Sequence, residues 1–244
     1  MSEGRFTPLQ RVAVRADGLG LAVTVDTLDP AFAVFGPRAT PDPARLHDVL
    51  DRAWRLLVHL DRSAAATLAA CLTTLVPLAG QSAGASSGWA WGTVALEIPD
   101  DHVRLAETLV HETQHLLMSA ADDLVSLTVP GDDSRWYAPW RTTPRPLAGL
   151  LQGCYAFLAV TAFWRDLLRD GERRDQAEVE FARWREATYE SVASITGATG
   201  LTAAGRRFAH GIADRLRPWL EEPVRPEADR IAVQLRRRHR AEWG

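Results

Sequence analysis

Residues Leu105–Leu124, LAETLVHETQHLLMSAADDL, carry two histidines four positions apart, His111 and His115, with Glu112 directly after the first. On a helix, positions i and i+4 share one face, so both imidazoles can reach a single ion without strain. Glu112 projects about a third of a turn away, within reach of a metal-bound water or of a group behind the ligands. This is the HExxH arrangement, and it points to a metal centre. The plainer alternative is a partly exposed polar helix face. It sits poorly with the surrounding apolar residues, among which two neighbouring histidines waste core surface.

Two histidines do not decide the metal or the reaction. A zinc peptidase needs a third protein ligand, with Glu112 as the base that activates water. The metzincin class continues the motif with xxGxxH; here LLMSAA follows, which excludes it. A gluzincin draws a glutamate from a later helix, and Glu178, Glu180, Glu186 and Glu190 are all available. The same histidines with one carboxylate can equally hold Fe(II) as a facial triad with open positions. Spacing alone leaves both open.

The elements that position the motif are legible in outline. Arg11–Asp26 alternates around Gly18–Gly20 and predicts a hairpin. Helices are expected over Ala44–Val58 and Ser63–Val76, a turn-forming loop over Gly80–Gly88, and a short strand within Trp89–Ile98. Asp100 and Asp101 can cap the motif helix, whose apolar stripe includes Val103, Leu109, Val110, Leu116 and Leu117. An aromatic and arginine-rich loop, PGDDSRWYAPWRTTPRP, spans Pro130–Pro146 and is too long for a mere connector. Helices Leu147–Leu168, Asp175–Ile195 and Thr202–Leu220 follow, and the basic end QLRRRHRAEW reads as a solvated helix end. With no repeat and no composition break, the expectation is one α+β, mainly helical domain with a small β element. Its hairpin, helices and strand fill 11–98, the metal-site helices and loop 99–220, and a basic tail 221–244.

Composition narrows the function classes. The chain has 244 residues, of which 46% are hydrophobic, an ordinary globular composition with a sizeable core. All 28 basic residues are arginine, yet the net charge is −3, which argues against nucleic acid held by bulk electrostatics. Cys71 and Cys154 match no metal spacing and read as buried thiols in a reducing compartment. The N-terminus lacks the apolar core of a signal peptide, and the apolar runs Ala64–Ala79 and Leu147–Trp164 are too short or too interrupted for a bilayer. A soluble, cytoplasmic protein without a membrane partner is expected.

The stretch SSGWAWGTVALEIPDDHVRLAETLVHETQHLLMSAADDL, then RWYAPWRTTPRPLAGLLQGCYAFLAVTAFW, then EFARWREATYESV with LTAAGRRFAHGI, resembles the HExxH-motif domain of ribosomal-peptide-modifying enzymes. That domain is often fused to the C-terminal side of radical SAM maturases. The similarity runs roughly from Val12 to Leu220 and is more specific than HExxH, because a peptidase helix has no need of YAPWR…PRPL…GLLQG. The resemblance implies an iron(II)- and 2-oxoglutarate-dependent oxygenase that β-hydroxylates a residue of a ribosomal precursor peptide. No CxxxCxxC motif is present, so the radical SAM half is expected to be a separate partner or to lie outside this chain.

Within that implied activity, His111 and His115 are the metal ligands, and Glu180, with Glu178 as substitute, is the carboxylate that completes the triad. His210 is a weaker choice. Asp122 and Asp123 lie about two turns beyond His115, roughly 10 Å along the axis, too far for an unbroken helix to deliver. The far carboxylate of 2-oxoglutarate needs a cation, best a bidentate guanidinium. Arg145, and after it Arg141, fits beside Trp136, Tyr137 and Trp140, with Gln152 and Tyr155 one helical turn apart behind the loop. Glu112 then orients ligands instead of serving as base. Two alternatives stand beside this reading: a zinc metallopeptidase of gluzincin type with Glu112 as general base, and a non-catalytic module delivering peptide to a radical SAM partner.

Overall fold

A computed structural model of the chain describes residues 9–80, 84–86 and 90–243. It is α+β and mainly helical. Two compact units divide it between Leu116 and Leu117, inside the motif helix.

The first unit is built on a five-stranded sheet. Strands β1 (Gln10–Ala16) and β2 (Leu19–Val25) form the predicted hairpin, with Ala16 opposite Leu19. Its two-residue turn is Asp17-Gly18, with φ of +44° and +79°, the mirror-image turn whose twist matches that of the flanking strands. Alternation does the rest: Val12, Val14, Leu21, Val23 and Val25 are buried, while the residues between them face outward. Strands β3 (Thr74–Pro77), β4 (Ala85–Ser86) and β5 (Thr93–Leu96) complete the order β1-β2-β3-β5-β4, with β3 parallel to both β2 and β5 and β4 antiparallel at the edge.

Helix α1 (Pro43–Leu60) packs against β1 and α2 (Arg62–Cys71). Asp61 joins the two helices. Its N–H donates to Leu57, and its carboxylate accepts from Ser63 and Ala64 as the cap of α2. The sequence extends α2 to Val76, but the helix ends at Cys71, Leu72 turns extended, and β3 begins at Thr74. A short apolar run buried in a parallel strand has no alternation to distinguish it from a buried helix. Of the strand expected within Trp89–Ile98, β5 is the part formed. Trp89 and most of the Gly80–Gly88 loop lie outside the described residues.

The motif helix α3 runs from His102 to Leu124, with Asp101 accepting from the Val103 N–H at 2.9 Å as its cap.

The second unit is a helix assembly. Helix α4 (Leu147–Asp170) pairs with α5 (Arg174–Ile195), and α5 also packs on α6 (Ala203–Leu220) and α7 (Pro226–Glu242). Contact with three helices explains why α5 reads as a charged, weakly amphipathic stretch. Its buried residues, Ala177, Phe181, Ala182, Trp184, Ala187 and Val192 among them, surround the helix instead of lining one face. Buried Glu178 accepts from the Arg225 backbone N–H at 2.7 Å and from the Arg225 side chain, tying the start of α7 to α5. The region read as a basic tail is thus a docked helix.

Helix α4 continues past Trp164 to Asp170 and, by length and composition alone, is long enough to cross a bilayer; 61% of its apolar stretch is buried inside the protein. Before it, β6 (Arg135–Trp136) and β7 (Arg145–Pro146) pair and pinch the long loop into a closed excursion. Trp140, inside that excursion, stacks on Phe157 of α4 with ring centroids 4.7 Å apart, and Phe157 meets Trp184 of α5 at 4.3 Å. A Cβ on Gly153 would overlap the Trp140 indole, so only glycine admits this packing.

Gly153→Ala should therefore destabilise the protein by about 1–3 kcal/mol through overpacking. In a Trp140→Ala background the same change should cost nearly nothing, as urea denaturation of the four proteins of the cycle would show. An equal cost in both backgrounds would mean that the indole is not what excludes the methyl group.

Candidate metal centre

In the first unit, α3 brings the Nε2 atoms of His111 and His115 to 3.0 Å of each other, with the rings edge to face. Two nitrogens bound to one ion at about 2.1 Å lie about 3.0–3.4 Å apart for bond angles between right and tetrahedral, so the pair already has a chelating geometry. Burial, with the neighbouring His115 adding to it, pushes the His111 imidazole down to a pKa of about 3. It is therefore neutral at physiological pH, the state a metal requires of an imidazole. The residues fit a divalent transition metal.

Glu112 is 2% exposed and turns away to the edge of the sheet. A Cβ built on Gly84 would stand 2.7 Å from its Oε1, and Thr108 closes the same space. Burial raises its pKa to about 7, against the opposing hydrogen bond from Ser86 of β4. Oε2 is buried without a hydrogen-bond partner. The far end of the motif is held by Trp91, whose Nε1 donates to the Leu116 carbonyl at 3.3 Å. Among the described residues, no three His, Cys, Asp or Glu side chains converge into a group able to hold an ion.

The other expected site residues belong to the second unit. Glu180 lies on α5, part-buried, with its carboxylate 3.6 Å from Arg183, which stacks over Trp184. Glu178, its substitute, is engaged by Arg225 as described. His210 is exposed on α6, and Asp122 accepts from the Leu127 N–H at 3.2 Å. Tyr155, part-buried, packs on Phe208 of α6 with ring centroids 5.2 Å apart, and Gln152 is part-buried on α4.

Arg145 is the informative one. Its guanidinium lies against Gly149 in the first turn of α4; a Cβ there would come within 2.9 Å of Nη2. Gly149 and Gly153, one turn apart, thus receive Arg145 and Trp140 in turn. That is the physical link between WRTTPRP and GLLQG, two segments the sequence only places in succession. The Arg145 Nε is buried and has no acceptor, and burial, then the nearby Arg141 charge, lowers its pKa. A carboxylate would relieve both. Arg141 itself is exposed. Tyr137 is drawn elsewhere: its hydroxyl meets His239 Nδ1 at 2.9 Å, and Arg240 lies over its ring. No sequence signal tied Tyr137 to the C-terminal helix, because the two are 102 residues apart.

His111→Ala and His115→Ala should each abolish stoichiometric loading of Fe(II) or Zn(II), measured by metal analysis, with far-UV circular dichroism unchanged. A second expectation concerns the metal-free protein. The Glu112 pKa rises from 4.5 unfolded to about 7 folded, so its contribution is fully present below pH 4.5 and is lost as pH climbs through 7. Glu112→Gln removes this loss. The variant should gain about 3 kcal/mol on wild type between pH 4.5 and pH 8.5 in urea denaturation with chelator present. An unchanged difference between the two proteins across that range would mean that Glu112 titrates normally.

No family model matches this sequence and no curated protein matches it, so neither comparison bears on the choice between iron and zinc.

Proposed function

We propose that the protein is an iron(II)- and 2-oxoglutarate-dependent oxygenase that hydroxylates a residue of a ribosomally made precursor peptide at its β-carbon. The observation that carries this reading is the part-buried Arg145 guanidinium, set against Gly149 with its Nε buried and unpaired and a like charge nearby. A buried donor without an acceptor costs about 1–3 kcal/mol, and a bound carboxylate would recover it. The far end of 2-oxoglutarate is such a carboxylate, whereas cleavage of an internal peptide bond has no need of one.

Iron(II) with 2-oxoglutarate and oxygen would supply an oxidant able to hydroxylate an unactivated C–H bond. His111 and His115 would hold the metal, each through Nε2, and the depressed pKa of His111 lets it bind without first losing a proton. Glu180 remains the carboxylate proposed to complete the ligand set. Arg145 would orient the cosubstrate, with Arg141 adding charge from the exposed side. Glu112, lodged between Gly84 and Ser86, would fix the face that α3 presents. A radical SAM maturase is proposed as the enzyme acting on the same peptide.

One observation favours the zinc peptidase instead: a carboxyl with a pKa of about 7 suits a general base at neutral pH. Glu112→Gln separates the two. A peptidase should fall by about 10²–10⁴ or more, and an oxygenase by about 10–100 with its metal retained.

The direct test is turnover. The Fe(II)-loaded protein with a precursor peptide should release succinate and yield peptide heavier by one oxygen atom, as mass spectrometry would read; zinc-dependent cleavage without succinate sinks the proposal. Arg145→Ala should weaken anaerobic 2-oxoglutarate binding by about 2–5 kcal/mol while iron loading stays normal, and Arg141→Ala should cost less.

A further inference from the structure

Helix α7 does more than close the second unit. Together with α5 and the long loop it encloses a cleft of about 440 Å³. Its floor is apolar, formed by Pro139, Ala187 and Val233, and its rim carries Arg236, Arg237 and Arg240. One carboxylate, Glu190, also lines it and is paired to Arg236 at 2.7 Å. Three guanidiniums against one carboxylate leave the lining at +2, in a chain whose net charge is −3.

The three arginines differ in state. Arg236 is largely covered, and its Nε is buried without a partner. Arg240 lies 4.1 Å from the Tyr137 ring centroid. Arg237 is exposed, and among the described residues no carboxylate pairs with it or with Arg240. The rim is nonetheless firmly placed: Tyr137 bonds His239 and packs edge-on against Trp243 at 5.3 Å, which ties the loop to the last turn of α7. Cations without a carboxylate partner, Arg237 and Arg240, on a fixed frame above an apolar floor suit an anionic ligand that also brings side-chain carbon.

We infer that this cleft binds an acidic, extended peptide segment, carboxylates on the rim arginines and an intervening apolar side chain on the Pro139–Ala187–Val233 floor. Arg237 and Arg240 are separated along α7 by about 4.5 Å of rise. Carboxylates on alternate residues of an extended chain stand about 7 Å apart, a span two flexible arginine side chains can meet. A nucleic acid fits less well, because the one ring at the rim, Tyr137, is already covered by Arg240. The choice of a peptide rests on the proposed peptide substrate, and the cleft would hold it at a distance in sequence from the residues that modify it.

The test uses the full-length, metal-free protein, so its outcome does not depend on turnover. A fluorescein-labelled peptide of alternating Glu and Val is titrated and followed by anisotropy, beside a peptide with Lys in place of Glu. The acidic peptide should bind and the basic one should not. Arg237→Glu/Arg240→Glu should weaken binding at least tenfold. The pair Arg230→Glu/Arg238→Glu, with the same change in charge on the same helix but outside the cleft, should stay within twofold of wild type. Equal losses in both double variants would reduce the effect to bulk charge and overturn the inference. So would displacement of the peptide by inorganic phosphate beyond what sodium chloride of equal ionic strength achieves, which would make this a small-anion site. Unchanged binding in the cleft variant would overturn it as well. If peptide binds through the cleft yet iron-loaded protein releases no succinate, the oxygenase reading fails and the cleft stands.

Discussion

A charged or polar group taken out of water must find a partner, and most of this structure follows from how that demand is met. Glu178 is buried on α5 and is satisfied by the backbone and side chain of Arg225, which seats α7. Arg185, also buried on α5, donates to the carbonyls of Trp219 and Glu222 and so holds the end of α6. Such pairs are weak sources of net stability, since desolvation offsets their attraction, but breaking either would strand a charge. They specify which helix ends meet.

Against that background, the groups that stay unsatisfied carry meaning. Glu112 Oε2, Arg145 Nε and Arg236 Nε are buried without partners, and each adjoins a place where a ligand has reason to sit. One lies on the motif helix against Gly84 and Ser86, one faces the first turn of α4 near Arg141, and one lines the basic cleft. Trp184 Nε1, Arg185 Nε and Thr188 Oγ1 on α5 and Trp243 Nε1 after α7 are unsatisfied too, so an orphaned atom alone does not mark a site.

Small residues set how closely the elements approach. Gly149 and Gly153 open one stripe of α4 to a guanidinium and an indole, and Gly84 does the same for the Glu112 carboxyl. In each case a methyl group would displace the polar or aromatic group it faces. Shape is thus conveyed by what is missing from the side chain, the hardest kind of signal to read from residue types alone.

By itself the sequence determined the elements whose periodicity is strong: the β1–β2 hairpin through its alternation around Gly18–Gly20, α1 from its helical pattern, and α3 with both imidazoles on one face. Those depend on neighbours within a few residues, where local geometry decides. It misassigned Thr74–Val76, read as the end of a helix, because a run this short has no period to betray a parallel strand. It passed over the docking of α7, whose partners on α5 lie 46 and 47 residues away. Only the tertiary structure decided that Arg145 is the covered arginine and Arg141 the exposed one, that Glu112 turns toward β4, and that Tyr137 belongs with the C-terminal helix. The reason is common to all three: burial and pairing are set by contacts between distant segments, and residue spacing along the chain contains no record of them.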